Sequence, residues 1–73
     1  MTEIKIKSES ITLGQLVKFL GLVYSGGEVK MFLSENKIFV NEIEENRRGK
    51  KLFLGDLIQI NGQKYLLTKE KYD

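Results

Sequence analysis

Ile11-Thr12-Leu13-Gly14-Gln15-Leu16-Val17-Lys18-Phe19-Leu20-Gly21 is the stretch that decides the fold. Thr12 and Gln15 have the spacing of a capping box: the threonine hydroxyl takes the amide three residues on, and the glutamine reaches back to the threonine amide. Ile11 and Leu16 flank them as a hydrophobic staple. Leu13, Leu16, Val17 and Leu20 recur at i, i+3, i+4 and i+7, so one stripe of a short helix faces a core until Gly21 ends it. The device returns in Tyr24-Ser25-Gly26-Gly27-Glu28-Val29. Ser25 and Glu28 form the box, Tyr24 and Val29 the staple, and Val29, Phe32 and Leu33 the buried stripe of a second short helix.

Outward from this pair, Asn36 suits a left-handed helix end. A strand over 37–41 follows, with Ile38 and Val40 on one face and Lys37, Phe39 and Asn41 on the other. On the N-terminal side Ile4 and Ile6 alternate with Glu3, Lys5 and Lys7, the pattern of a half-buried strand whose lysines suit a sheet edge. On the C-terminal side Asn61-Gly62 joins Leu57-Ile58-Gln59-Ile60 to Lys64-Tyr65-Leu66-Leu67 as a two-residue hairpin, entered through a turn at Gly55-Asp56. The order is β, α, α, β, β, β. The predicted class is α+β: after the first strand, two short N-terminal helices packed on a small, mainly antiparallel sheet, in a single domain over residues 1–73.

A chain of 73 residues buries about 60% of its unfolded surface, so the core is small and no large cleft is expected. There is no cysteine for a disulfide or thiolate metal site, and no histidine to act as the usual general base or metal ligand. We therefore expect no catalytic residues, metal, cofactor or small-molecule substrate, and not an enzyme. No apolar run approaches the roughly 20 residues of a membrane span. The expectation is a cytoplasmic monomer without a membrane partner.

Charge is uneven. Asn46-Arg47-Arg48-Gly49-Lys50-Lys51 holds four of the 12 basic residues and none of the 10 acidic ones. The net charge of +2 thus becomes −2 over the remaining 67 residues. Arg47, Arg48, Lys50 and Lys51 on a glycine-containing loop suit a polyphosphate ligand, although such a run can also be a solvated loop. Ser25, Gly26 and Gly27 open the second helix, where free amides at the positive dipole end can seat a phosphate; glycine there can equally be conformational. Lys37, Phe39 and Asn41 place a cation, a ring and an amide in a row, the groups that contact phosphate and stack on bases in single-stranded RNA. Phe39 can instead cover the helices. Lys30, off the buried stripe, extends the basic surface or is simply solvated. Glu42, Glu44 and Glu45 precede the arginines without the burial that acid-base work needs, and read as surface ion-pair partners.

Taken together these segments resemble the ribosomal protein S-four-type RNA-binding domain, the alpha-L fold. The family pattern Arg-Leu-Asp-Lys-Phe-Leu is met by Gln15-Leu16-Val17-Lys18-Phe19-Leu20, and its Ser-Arg-x-x-Ala-x-x-Leu-Ile-x-x-Gly-x-Val-x-Val-Asn-Gly stretch aligns without a gap to Ser25 through Glu42. Gly55-Asp56-Leu57-Ile58-Gln59-Ile60 meets the later Gly-Asp-x-Ile-x-Ile. The resemblance covers about residues 11–61. Thr12-Leu13-Gly14-Gln15, Ser25-Gly26-Gly27-Glu28-Val29-Lys30 and the 44–52 segment are similar to the small stand-alone bacterial YaaA-type branch. Gln15 and Gly26 stand where the family has arginines, and Asn36 and Glu42 where it has glycines. The resemblance implies a non-catalytic module that binds structured RNA, ribosomal RNA among the candidates, with the Arg47 to Lys51 loop taking over part of the missing arginines' role. The alternative is an adaptor that binds an acidic protein through the same surface.

Overall fold

A computed structural model describes residues 1–71. Strands β1 (Thr2–Ile6) and β2 (Ser10–Thr12) precede helices α1 (Leu13–Phe19) and α2 (Gly26–Glu35), so the helices are not the first elements of the chain. Strands β3 (Ile38–Val40), β4 (Ile43–Glu44), β5 (Lys51–Phe53), β6 (Leu57–Ile60) and β7 (Gln63–Lys69) follow. Five strands form one sheet in the order β1-β7-β6-β3-β4, antiparallel except for β1, which runs parallel to β7 at one edge. β2 and β5 form a separate two-stranded ladder.

Both helix starts follow their sequence signals. The Gln15 amide donates to Thr12 Oγ1 at 3.2 Å, and the Thr12 amide donates to Gln15 Oε1 at 2.9 Å. At the other end of α1, Gly21 adopts φ +75°; its amide donates to the Lys18 carbonyl while the Leu22 amide donates to that of Val17. This is the Schellman arrangement, and it needs a residue tolerant of left-handed backbone. At α2, Glu28 Oε1 accepts hydrogen bonds from the Tyr24 and Ser25 amides and the Ser25 hydroxyl. The Tyr24 staple is not made: its ring is 90% exposed, and Val23 fills the core position instead.

Leu13, Leu16 and Val17 of α1 and Val29 and Leu33 of α2 are buried against Ile4, Ile6, Ile38, Val40, Ile58, Ile60 and Leu67 of the sheet, with Leu52 of the small ladder. No polar or charged residue is buried among the described residues. Burial of this apolar set, at about 25 cal/mol per Å², is the main favourable contribution to folding, and no buried ion pair offsets it.

The turns differ in part from expectation. Asn61 and Gly62 both have positive φ, as a type I′ hairpin demands. The strand after α2, expected over 37–41, ends at Val40, because Asn41 (φ 51°) and Glu42 (φ 71°) form a second tight turn that joins β3 to β4. Asn36 was expected to be left-handed but is extended, at φ −123°. Its side chain ends the helix instead, donating to the Phe32 carbonyl and accepting from Asn61 Nδ2.

Glu42 is thus a long side chain at a backbone position that costs most L-residues about 1–2 kcal/mol. We expect Glu42→Gly to raise the unfolding free energy by about 0.5–1 kcal/mol, after allowing for the greater freedom of glycine in the unfolded chain. A urea titration measures this, and a destabilised variant would show that the Glu42 side chain has a structural role of its own.

Candidate functional site

The β2–β5 ladder pairs Ser10 with Phe53, Ile11 with Leu52 and Thr12 with Lys51. It then continues into the first turn of α1: the Leu13 amide donates to the Lys50 carbonyl at 2.8 Å, and the Gly14 amide to the Arg48 carbonyl at 2.9 Å. First-turn amides have no acceptor within their own helix, so the basic loop supplies what α1 lacks. The approach depends on glycine. A β-carbon on Gly14 would lie 3.2 Å from the Arg48 carbonyl oxygen and 3.3 Å from both Arg48 Cβ and Val29 Cγ1. The loop is further closed by a turn in which the Lys50 amide donates to the Arg47 carbonyl.

Its four cations are not equivalent. Arg47 donates through Nε to Glu45 Oε2 at 2.9 Å and through Nη2 to Oε1 at 3.0 Å, and its amide also donates to Oε2. These bonds hold the Glu45 carboxyl at about 2, against partial desolvation, which acts in the opposite direction. The charge of Arg47 is therefore compensated inside the loop. Arg48, Lys50 and Lys51 make no ion pair among the described residues.

Two hollows flank this loop. One, of about 270 Å3, is lined by Arg48 together with Gln15 and Lys18 of α1 and Gly26 of α2. Ser25, the N-cap of α2, and Gly27 and Lys30 within it are exposed, but none of the three lines this hollow. Neither Gly26 nor Gly27 has positive φ, and an added β-carbon would meet no neighbour closer than 4.0 Å. Neither the turn nor the packing requires these two glycines. The other hollow, of about 280 Å3, brings Asn41, Lys50 and Lys51 together with Ile43 and Phe53. The Asn41 amide is already engaged there: Nδ2 donates to Asp56 Oδ1, and Oδ1 accepts from the Leu57 amide.

Lys37 and Phe39 lie apart from both hollows. Phe39 is half-buried on the sheet face opposite Ile38 and Val40, between Gln59 and Glu44. Lys37 pairs with Glu44 at 3.7 Å, both side chains being exposed, a pairing worth little. The expected row of cation, ring and amide is broken at Asn41, where the chain leaves the strand. Lys18 was missed by the sequence reading. Its signal was available: it follows Gln15 by three residues on the exposed side of α1, so the two are neighbours on the helix surface.

Comparison with known proteins fits this architecture. The model of the S4 domain family matches residues 4–68. A curated relative from Bacillus subtilis (strain 168), probable ribosome maturation protein RlbA, is 49% identical over 59 residues, covering 81% of this chain and 83% of the relative. Among the described residues no helix is long and apolar enough to cross a membrane.

Two outcomes follow from the loop geometry. In Gly14→Ala, overpacking of about 1–3 kcal/mol is partly offset by the roughly 1 kcal/mol helix preference of alanine over glycine. We expect a net loss of about 1 kcal/mol in a denaturant titration, with faster amide exchange at residue 14; a more stable variant would show that the loop yields without cost. For Glu45, a folded value near 2 against an ordinary 4.5 means stability that is present above about pH 4.5 and lost as pH falls towards 2. Glu45→Gln should flatten that acid limb relative to wild type in thermal melts at a series of pH values, and parallel curves would show that the pair contributes nothing.

Proposed function

Because the chain belongs to the S4 domain family, we propose that it is a non-catalytic RNA-binding module that grips structured RNA, with ribosomal RNA the first candidate. One observation carries this reading. Backbone hydrogen bonds from Leu13 and Gly14 fix the basic loop against α1, so that unpaired Arg48 faces the same hollow as Lys18 and the glycine start of α2. Arginine and lysine would neutralise phosphates, and the exposed amides at Gly26 and Gly27 would let a phosphate come close to the positive end of α2. Lys50 and Lys51 extend the surface to the second hollow, and Ser25 and Lys30 add exposed groups at the start of α2 and one turn into it. Arg47 contributes mainly by fixing the loop through Glu45.

Lys37, Phe39 and Asn41 are assigned weaker roles. Lys37 and Phe39 would touch RNA only where it wraps onto the outer sheet face, and the Asn41 amide would have to give up a structural bond. The name of the Bacillus subtilis relative points to the setting, a ribosomal particle during maturation. In this reading the protein is a cytoplasmic monomer that needs no cofactor.

A filter-binding titration against ribosomal RNA, with co-sedimentation on ribosomal particles, tests the proposal. If Arg48, Lys50 and Lys51 neutralise about three phosphates, log affinity should fall against log salt with a slope of about −2 to −3. The triple alanine variant should lose most of that slope and most of its affinity, while stability changes by only about 0.5 kcal/mol per site. Unchanged affinity in the folded variant would refute the assignment. A slope near zero in wild type would favour an acidic protein partner.

A further inference from the structure

Two exposed apolar side chains face the hollow beside Lys50 and Lys51, and the phosphate contacts proposed above give them no task. Ile43, on the two-residue edge strand β4, is 72% exposed, and Phe53, on β5, is 53% exposed. Leu52 between Lys51 and Phe53 is fully buried, so Lys51 and Phe53 lie on the same outward side of the ladder. A ring and a cation thus stand side by side on one short strand.

The carboxylates that line the same hollow are engaged by the fold. Asp56 Oδ2 accepts from the Phe53 amide and Oδ1 from Asn41 Nδ2. Both oxygens of Glu45 are taken by Arg47. Both carboxylates are thereby held by donors of the fold; Arg47 neutralises Glu45, while Asp56 keeps its charge beside the unpaired Lys50 and Lys51, so cations outnumber free carboxylates in this hollow by one. The same bonds fix the backbone under Phe53, so its ring is presented by a rigid support. The volume, about 280 Å3, falls just below the roughly 300 Å3 at which drug-sized ligand sites begin. It suits a single planar ring system bordered by negative charge.

We propose that this hollow is a nucleotide pocket, in which one unpaired base of the bound RNA stacks on Phe53 against Ile43 while its phosphates meet Lys50 and Lys51. The proposal rests on the RNA-binding reading and sharpens it. Paired stems present their bases edge-on and stacked, whereas a bulged or flipped base offers the face that an aromatic ring can cover. The module would therefore prefer structured RNA with an unpaired nucleotide beside a stem. Such a base would lie across the loop from the phosphate held at Arg48.

The test compares two RNA hairpins, one with a fully paired stem and one identical but for a single unpaired purine, the latter also with 2-aminopurine at that position. Wild type should bind the bulged hairpin more tightly and change the 2-aminopurine fluorescence. Because one stacked base is worth about 1–3 kcal/mol, Phe53→Ala should lower affinity for the bulged hairpin by about five-fold or more beyond any loss on the paired one. Phe53→Tyr should keep the preference, and Ile43→Ser should weaken it. Circular dichroism confirms that each variant is folded. If wild type binds both hairpins equally and Phe53→Ala loses affinity equally for both, the pocket is refuted while RNA binding stands. If neither hairpin nor ribosomal RNA is bound at low salt, the RNA reading itself falls. If Phe53→Ala abolishes co-sedimentation with ribosomal particles yet leaves both hairpin affinities intact, the ring meets a protein and the nucleotide pocket is refuted.

Discussion

The close approach of the Arg48 carbonyl to Gly14 is the contact on which this arrangement depends. It lets the loop supply acceptors to the first turn of α1, and so extends the β2–β5 ladder into a helix without a break. A side chain at Gly14 would press on Arg48 and Val29 at once, that is, on the loop and on α2 together. Helix α1, helix α2 and the basic loop therefore meet at one residue with no β-carbon. Fixing the loop there before any ligand arrives lowers the ordering cost of binding, which a free loop would meet at that moment.

The loop also manages its own charge. Four cations in six residues repel one another, and a carboxylate immediately upstream relieves this by binding one arginine through two side-chain hydrogen bonds and an amide. Glu45 keeps only 10% of its side-chain surface exposed, while Arg47 keeps 70%. The arrangement is closer to a structural clasp than to a surface ion pair of the kind that contributes little. Charge available to a ligand is then concentrated in Arg48, Lys50 and Lys51, which point to the two hollows on either side.

Much of the fold was legible because local signals agreed with the core. The capping box at Thr12, the apolar stripes of both helices and the Asn61-Gly62 turn each need only a few neighbouring residues to act. What was missed depended on partners distant in sequence. Strands β2 and β5 have three residues each, too few for alternation to show, and exist because they pair with each other. Asn36 and Asn41 both carry the left-handed preference of asparagine, and a single sequence does not say which one the chain uses; Asn61 settles it by bonding the Asn36 side chain. Tyr24 and Val23 are adjacent apolar residues before a cap, and packing selects the smaller. Of the candidate site, the basic loop was visible in composition alone. Ion pairing by Glu44 and Glu45 was legible in the same stretch; that Glu45 takes Arg47 rather than Arg48 depends on the shape of the loop, and Lys18 lies on the exposed side of α1, away from the apolar stripe that marks the helix.

The distribution of charge bears on how such a small domain could hold a defined position on a polyanion. A uniformly basic surface binds phosphates anywhere along a chain and slides, since counterion release is indifferent to sequence and to register. Here the 67 residues outside the 46–51 segment carry a net −2, so the net positive charge belongs to that one loop and the rest of the chain is on balance repelled. Orientation alone does not choose a site along the RNA. Selection requires contacts that distinguish local shapes, and in the proposed reading those lie beside the loop: the start of α2 on one side and the exposed Phe53 ring on the other. Electrostatics would then set where the domain faces, and the flanking hollows would set where it stops.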